Sequence, residues 1–284
     1  MSVAPAATQE LVVQGAQIAA ADASELAALC RARSMQQIDE GVWRLSGVQH
    51  SETVAEYCAL RALDHAWVPA GRRFADFGLL AMDMDSTLIT IECIDEIGAV
   101  LGIGDEIAAV TAQAMAGEID YAQSLRQRVA LLAGLGIDAL ERVYREKLRL
   151  SPGAERLIER AQRCGMRTLL VSGGFTFFTE RLQRRLGLDY ALSNVLDIQN
   201  GKLTGRVSGA IVDANAKAAR LVELTRALGL AKAQTLAIGD GANDLAMMAA
   251  AGVSIAYRAK PKVRARATYA LDHSGLDGVL NLFD

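Results

Sequence analysis

The stretch Leu79-Leu80-Ala81-Met82-Asp83-Met84-Asp85-Ser86-Thr87 is a short apolar run that ends in two aspartates. Two further apolar runs end in a similar way: Thr168-Leu169-Leu170-Val171 before Ser172, and Thr235-Leu236-Ala237-Ile238 before Gly239-Asp240. Uninterrupted apolar runs of this length are typical of parallel strands that are buried on both faces. Helical periodicity follows each run, so the pattern predicts an α/β fold with a doubly wound parallel sheet. Ligands bind such sheets outside the carboxyl ends of the strands, where these polar residues fall.

Two insertions interrupt this alternation of strands and helices. About 60 residues of helical pattern separate the first apolar run from the second. That length is too great for one crossover, so we predict a helical cap, at about residues 90–150, over the strand ends. The second insertion, residues 195–207, contains Asn200-Gly201, a strong signal for a two-residue hairpin turn.

A domain boundary is predicted at Pro69-Ala70-Gly71-Arg72-Arg73, a polar, turn-forming stretch between two periodic regions. Four segments before it have strand or helix patterns: strands at 10–13 and 41–48, and helices at 23–31 and 52–67. We therefore predict a small α+β module, residues 1–73, and a main domain, residues 74–284. The module contains no motif that indicates a chemical function.

Composition excludes several classes of function. The 284 residues are 51% hydrophobic and carry a net charge of -3, with only 5% aromatic residues. Neither a basic surface nor a base-stacking surface for nucleic acid is expected. The longest uncharged run, 245–257, is too short to span a bilayer, which needs about 20 residues, and we see no signal peptide. Four scattered cysteines fit free thiols, so we expect a cytoplasmic protein with no nucleic-acid or membrane partner.

The first motif offers a pair of acids. If strand geometry persists through it, Asp83 and Asp85 point to the same face. Two carboxylates on one face can divide the chemistry: one attacks or binds a metal, and the other donates and accepts protons. Judged alone, however, the motif fits a helix-capping turn better, because Asp, Ser and Thr are common at helix starts.

The other two strand ends offer an anion site and further acids. The glycines in Ser172-Gly173-Gly174 allow a tight turn whose free N–H groups bind anions, although an ordinary strand-to-helix turn fits equally well. Asp240 and Asp244 are hard oxygen ligands suited to Mg²⁺, or else members of a capping loop. A dinucleotide-binding fingerprint is excluded, because it needs a glycine where Asp244 stands.

Three charged residues lie outside these motifs. Arg128 has helical spacing from Tyr121 and Leu125, which puts it on the apolar face of its helix. A guanidinium there either reaches solvent or meets an anion such as a carboxylate. Lys217 and Glu92, judged alone, fit solvated surface positions better than functional ones.

The charges of the residues at the three strand ends indicate which ligand they could bind. The aspartates would repel one another if clustered, and a phosphate monoester adds roughly two negative charges at neutral pH. Lys217 alone cannot offset this charge. A divalent cation can, and Mg²⁺ is typically held by one or two carboxylates together with phosphate oxygens.

The ordered motifs resemble those of the haloacid-dehalogenase (HAD) superfamily: Asp83-Met84-Asp85-Ser86-Thr87, Ser172-Gly173-Gly174, Lys217 and Gly239-Asp240-Gly241-Ala242-Asn243-Asp244. Residues 77–283 resemble its phosphoserine phosphatases in particular. Three details carry that resemblance: Glu92 shortly after the first motif, the stretch 124–129, and the stretch 171–175. The resemblance implies a HAD-like core with a helical cap inserted after its first strand. The N-terminal module weakly resembles ACT-like domains.

The resemblance also implies a role for each site residue. Asp83 would be the nucleophile that becomes an aspartyl-phosphate, and Asp85 would protonate the departing serine oxygen and later activate water. Mg²⁺ would be bound by Asp83, the main-chain carbonyl of Asp85, and Asp240, with Asp244 in support. The remaining residues would contact the substrate: Ser172, the Gly173 amide and Lys217 the phosphoryl group, Asn243 the substrate or phosphate, Glu92 the ammonium group, and Arg128 the carboxylate. Similar proteins often have a phenylalanine seven residues before the arginine, where this chain has Tyr121.

The function that this resemblance implies is Mg²⁺-dependent hydrolysis of O-phospho-L-serine, a small-molecule substrate, to L-serine and phosphate. This reaction is the last step of the phosphorylated route to serine, and a homodimer is a possible assembly. One alternative is a phosphotransferase that passes the phosphoryl group to an alcohol such as homoserine, or a related phosphatase of another small metabolite. A different class, an amino-acid-sensing regulator, is disfavoured because the acids and the lysine of the motifs are intact.

Overall fold

The computed structural model describes residues 8–283, so residues 1–7 and 284 of the two predicted domains lie outside the described residues. In the N-terminal module, four antiparallel strands form a sheet of order β2-β3-β1-β4. The elements are β1 (Gln9–Gln14), α1 (Ala20–Leu29), β2 (Ser34–Asp39), β3 (Val42–Ser46), α2 (Glu52–Leu60) and β4 (Asp64–Pro69).

Two parts of this module differ from the sequence pattern. The helix predicted over 52–67 is wrong beyond Leu60, because residues 64–69 form β4. Buried and half-buried side chains alternate along β4, which is the period of a strand and not of a helix. Strand β2 has no apolar alternation, since nearly all of its residues are exposed, and so the sequence pattern contains no sign of it.

Strand β1 contributes to two apolar cores, because successive side chains of a strand point to opposite faces. Leu11 and Val13 pack in a core that belongs to the module and its two helices. Val12 faces the other way and lies in the large core of the main domain, together with Ala66 and Val68 of β4. The module therefore packs against the main domain through one face of its sheet.

The main domain is built on a seven-stranded sheet of order β11-β10-β9-β5-β6-β7-β8. All neighbouring strands are parallel except β7 and β8, which confirms the predicted doubly wound α/β fold. The elements are β5 (Leu79–Met82), α3 (Cys93–Leu101), α4 (Gly104–Ala116), α5 (Tyr121–Ala130), α6 (Ile137–Glu146), α7 (Ala154–Arg163), β6 (Arg167–Phe175), α8 (Thr176–Leu186), β7 (Tyr190–Gln199), β8 (Lys202–Ser208), α9 (Ala214–Ala227), β9 (Thr235–Gly239), α10 (Leu245–Ala250), β10 (Val253–Tyr257), α11 (Pro261–Arg264), β11 (Tyr269–Leu271) and α12 (Gly278–Asn281).

Central strand β5 is apolar throughout because helices cover both faces of the sheet. Leu80 and Met82 pack in the core that includes residues of α7, α8 and α12. Leu79 and Ala81 pack in the opposite core, with residues of α9, α10 and α11. Strands β6 and β9 are the two neighbours of β5, so the ends of the three predicted strands lie side by side.

Helices α3–α6 form the segment that the sequence pattern predicts as a cap. The chain leaves and re-enters the main domain through a short antiparallel contact, in which the Thr90 N–H donates to the Arg149 carbonyl at 3.0 Å. The limits of the cap at about 90–150, and the domain boundary after residue 73, stay predictions.

Several smaller expectations can be compared with the structure. Asn200 and Gly201 both have positive φ values, 51° and 74°, in a two-residue turn between antiparallel β7 and β8, which confirms the predicted hairpin. All four cysteines are free. Within residues 8–283, none of the helices has the length and apolarity needed to cross a membrane.

Asp64 connects the start of β4 to the loop that follows β11. Its carboxylate, in a side chain that is only 4% exposed, accepts hydrogen bonds from the main-chain N–H groups of Asp272 at 2.7 Å and Ser274 at 2.8 Å. The N–H of His273 also donates to it, at 3.2 Å. Three consecutive amides thus converge on one buried carboxylate.

Asp64→Ala is expected to lower the free energy of unfolding by about 2–3 kcal/mol, because it leaves buried N–H groups without an acceptor. Urea denaturation measures the effect. Asp39→Ala is the matched control: it removes an aspartate that also reaches the main domain, but in a pair with Arg156 whose side chains are 47% and 63% exposed. That change is expected to cost at most about 1 kcal/mol. Equal losses in the two variants would contradict the role given to Asp64.

Candidate active site

The carboxyl ends of β5, β6 and β9 bring the three motifs together beneath the helices of the cap segment. A cavity of about 420 Å³ opens there. Seven of the ten predicted site residues line it: Asp83, Asp85, Glu92, Arg128, Gly173, Asp240 and Asn243. The other three, Ser172, Lys217 and Asp244, are fully buried and hydrogen-bond to residues of the cavity wall.

Lys217 lies between two aspartates. Its Nζ is 2.7 Å from Oδ1 of Asp83 and 2.8 Å from Oδ1 of Asp244, and no side chain of the three is more than 5% exposed. Burial lowers the pKa of Lys217, but the two carboxylates outweigh it and raise that pKa above its ordinary value. The lysine is therefore a buried cation, and its assignment to solvated surface from the local pattern is wrong.

The acids around Lys217 carry more negative charge than one lysine offsets. Burial and repulsion from Asp244 raise the pKa of Asp83, against the attraction of Lys217. Burial, followed by repulsion from Asp244, raises the pKa of Asp240 to about 6. One carboxylate oxygen of each of these three aspartates lies within 4.8 Å of the other two, so together they could hold a metal ion.

Asp85 is held from two directions. The chain is extended at Asp83 and Asp85, and it turns sharply at Ser86, which has a left-handed φ of 56°. The Asp85 carboxylate accepts hydrogen bonds from the N–H of Cys93, at the start of α3, at 2.9 Å and from the Ser172 hydroxyl at 3.3 Å. Burial raises the pKa of Asp85, so this carboxyl binds a proton more tightly than an exposed aspartate does.

The two glycines allow close approach of other groups to the end of β6. A Cβ atom at Gly174 would lie 2.7 Å from Oδ2 of Asp85, and one at Gly173 would lie 2.2 Å from the Tyr121 hydroxyl. The Gly174 N–H donates to the Ser172 hydroxyl at 2.8 Å, which orients that hydroxyl. Strand β6 continues to Phe175, so these residues end the strand and do not form a separate turn after Val171 as predicted.

Arg128 and Glu92 supply the charges on the cap side of the cavity. The Nε of Arg128 is buried and has no hydrogen-bond partner among the residues that the structure describes. Glu92 precedes α3 and accepts a hydrogen bond from the Ser86 hydroxyl at 2.7 Å. Its carboxylate opens onto the cavity, yet desolvation and the nearby Asp85 raise its pKa to about 7. The cap side of the cavity therefore offers the guanidinium of Arg128 and the titratable carboxyl group of Glu92.

Several contacts of the site come from residues that were not predicted as site residues. Thr87 donates to Asp240 at 3.1 Å, and its place inside the first motif was a usable signal. Asp95 also lines the cavity, one helical turn after Glu92. Asn194, on β7, donates to the Gly173 carbonyl at 2.8 Å, and nothing in the sequence around it indicates that contact.

Comparison with known proteins identifies the family of this fold and site. The family model for haloacid dehalogenase-like hydrolases matches residues 80–249, and a model for a domain of unknown function, DUF4072, matches residues 11–56. The chain belongs to the haloacid dehalogenase-like hydrolases. Relatives named phosphoserine phosphatase confirm the resemblance to that group of the superfamily.

A phosphoserine phosphatase of Polaromonas sp. is 52% identical to this hydrolase over 215 residues, which are 74% of this chain and 91% of that protein. The crystal structure of a probable phosphoserine phosphatase from Vibrio cholerae, in its unliganded form, is similar with a TM-score of 0.85 and 37% identity. That similarity covers 97% of this chain and 86% of the other. A structure described as a phospho-aspartyl intermediate analogue of phosphoserine phosphatase has a TM-score of 0.68 and 37% identity, over 73% of this hydrolase and 99% of that chain.

Lys217→Met is expected to destabilise the hydrolase by about 3–5 kcal/mol at pH 8 in EDTA, because it leaves Asp83 and Asp244 buried without a cation. The loss should be smaller at pH 5: burial raises the pKa of Asp83, so without Lys217 this carboxyl takes up a proton there at less cost. Chemical denaturation at the two pH values measures both effects. Lys202→Met, at an exposed position on β8, is the control and should change stability little. A loss that is independent of pH would contradict the assigned pairing.

Proposed function

We propose that this hydrolase is a phosphoserine phosphatase, which converts O-phospho-L-serine and water to L-serine and phosphate. The observation that carries the proposal is the guanidinium of Arg128, whose buried Nε has no hydrogen-bond partner within residues 8–283, in the same cavity as Glu92 and the two acids that follow β5. A carboxylate, an ammonium group and a phosphate ester on one small molecule match these three features. The relatives that bear the name phosphoserine phosphatase support the same substrate.

In the first proposed step, a carboxylate oxygen of Asp83 attacks phosphorus, and the bond from phosphorus to the serine oxygen breaks. Asp85 gives its proton to that oxygen, which leaves as the hydroxyl of L-serine. The raised pKa of Asp85 supports this role, because a general acid must hold its proton until the alcohol departs. A relative described as a phospho-aspartyl intermediate analogue supports an aspartyl-phosphate on Asp83.

In the second proposed step, the ionised Asp85 takes a proton from water as the water oxygen attacks phosphorus. The bond between phosphorus and Asp83 breaks, phosphate leaves, and Asp85 again carries its proton. Both steps use the carboxyl groups of Asp83 and Asp85, and residues of the cavity walls hold these groups in position.

The phosphoryl group would be held by Lys217, the Ser172 hydroxyl and the Gly173 N–H. A lysine ammonium has three donors, and Lys217 uses two of them for Asp83 and Asp244, so one remains for a phosphoryl oxygen. Asn243, on the cavity wall, would add a contact to substrate or phosphate. In this account Arg128 binds the substrate carboxylate and Glu92 its ammonium group.

Mg²⁺ is the proposed cofactor, held by Asp83, the main-chain carbonyl of Asp85, and Asp240, with Asp244 in support. The excess of carboxylates over cations, and the raised pKa values of Asp83 and Asp240, fit a site that takes a divalent cation. When bound, Mg²⁺ neutralises charge on the phosphate ester and orients its oxygens for attack. A role in serine biosynthesis, a cytoplasmic location and a homodimer stay predictions.

The deciding assay is phosphate release from a panel of phosphorylated amino acids and sugars, with Mg²⁺ and then with EDTA. O-phospho-L-serine should be the preferred substrate, EDTA should abolish turnover, and Asp83→Asn should reduce it by about 10⁴-fold or more, because the nucleophile is lost. Preference for a phosphosugar would overturn the substrate assignment. Formation of phosphohomoserine when homoserine is added would instead identify a phosphotransferase.

Recognition of the carboxylate is tested with a second substrate that lacks it. Arg128→Gln is expected to lower kcat/KM for O-phospho-L-serine by about 100-fold, as loss of a charge-assisted pair does, and for O-phosphoethanolamine by less than about fivefold. Arg126→Gln, at an exposed position on the same helix, is the matched control. Equal losses for both substrates would show that Arg128 does not bind the carboxylate.

A further inference from the structure

Tyr121 makes a contact across the cavity that the proposed mechanism does not use. It is the first residue of α5, and its hydroxyl donates to the main-chain carbonyl of Gly173 at 3.2 Å. Burial raises the pKa of Tyr121 to about 12, so the hydroxyl keeps its proton at neutral pH. The contact depends on the glycine, because a Cβ atom there would lie 2.2 Å from the hydroxyl.

The Gly173 carbonyl does not need Tyr121 to hold its own position. Nδ2 of Asn194 donates to the same carbonyl at 2.8 Å, and Oδ1 of Asn194 accepts from the Val212 N–H at 2.8 Å. Asn194 is buried, so the main domain fixes this acceptor by itself. The hydrogen bond from Tyr121 therefore acts mainly on the helix that carries it.

Helix α5 has buried residues at Ser124, Leu125 and Val129, and the Tyr121 hydroxyl adds a polar contact to the main domain at its start. Its other end continues into a loop whose Gly134 N–H donates to the Leu203 carbonyl of β8 at 2.8 Å. The preceding helix, α4, has only one buried residue, Ile107, among its 13 residues, so packing holds that side weakly. Tyr121 lies at the start of α5, just after the turn that follows α4. Its hydroxyl hydrogen-bonds this helix start to the main domain.

Arg128 lies seven residues after Tyr121, which is about two helical turns, so the two side chains share a face of α5. Leu125 and Val129 bury α5 in the core, and the Tyr121 hydroxyl adds a hydrogen bond at the start of the same helix, on the face that carries Arg128. We propose that Tyr121 is a positioning residue: its hydroxyl holds α5 against the end of β6 so that Arg128 meets the substrate carboxylate. This inference rests on the proposed phosphoserine phosphatase activity.

Tyr121→Phe removes the hydroxyl and keeps the ring. The KM for O-phospho-L-serine is expected to rise about fivefold, which corresponds to the loss of one neutral hydrogen bond, while kcat changes by less than about twofold. The KM for O-phosphoethanolamine, which has no carboxylate for Arg128, should stay within about twofold. In the Arg128→Gln background the same change should add no further loss, because the two residues act through one contact.

A measurement without substrate separates this inference from the proposed activity. Hydrogen exchange of the main-chain amides of α4 and α5 should be faster in Tyr121→Phe by about fivefold, with no change in the N-terminal module. Tyr144→Phe is the matched control, because its hydroxyl, on α6, makes no hydrogen bond within residues 8–283. It should alter neither exchange nor KM.

Two results would overturn the role of Tyr121: unchanged exchange in α4 and α5, or equal KM increases for the two substrates. If the wild-type protein releases no phosphate from O-phospho-L-serine, the proposed activity fails. The exchange measurement then still decides whether the hydroxyl fixes α5.

Discussion

One buried ammonium group allows this fold to concentrate carboxylates at the end of its central strand. Lys217 contacts Asp83 from β5 and Asp244 from the loop after β9, and all three side chains are almost completely shielded from water. Without that cation, two buried carboxylates at adjacent strand ends would repel each other or be protonated. The nucleophile that we propose, the acidic cluster beside it and the geometry of the cavity floor all depend on this pairing.

The same residues made both the sheet and the site predictable. Three apolar runs with polar ends are signals of buried parallel strands, and the polar ends are the functional groups, so one pattern predicts both. Arg128 could also be predicted from the sequence, because helical spacing alone puts it on an apolar face. Lys217 and Glu92 could not be predicted in this way, since their surroundings come from distant parts of the chain. Lys217, for example, contacts Asp83, which is 134 positions away in the sequence.

The N-terminal module was predicted less well, for a related reason. Its strand β4 begins only four residues after helix α2 ends at Leu60, and that short break was hidden in a continuous pattern. Strand β2 lies at the sheet edge and is exposed, so the alternation that marks a half-buried strand is missing. The apolar run Leu11-Val12-Val13, in contrast, indicates burial on both faces as clearly as β5 does, and the structure has the two cores that such a run requires.

The hydrogen bonds between β1 and the last helix, α12, bear on how the chain folds during its synthesis. The side-chain amide of Gln14 donates to the Gly278 carbonyl at 3.0 Å and accepts from Asn281, across more than 260 positions. The core that Val12 shares with Val279 and Leu280 of α12 is incomplete during translation until residues near 280 emerge. Contacts of such long sequence separation form late and leave apolar surface open to aggregation in the meantime.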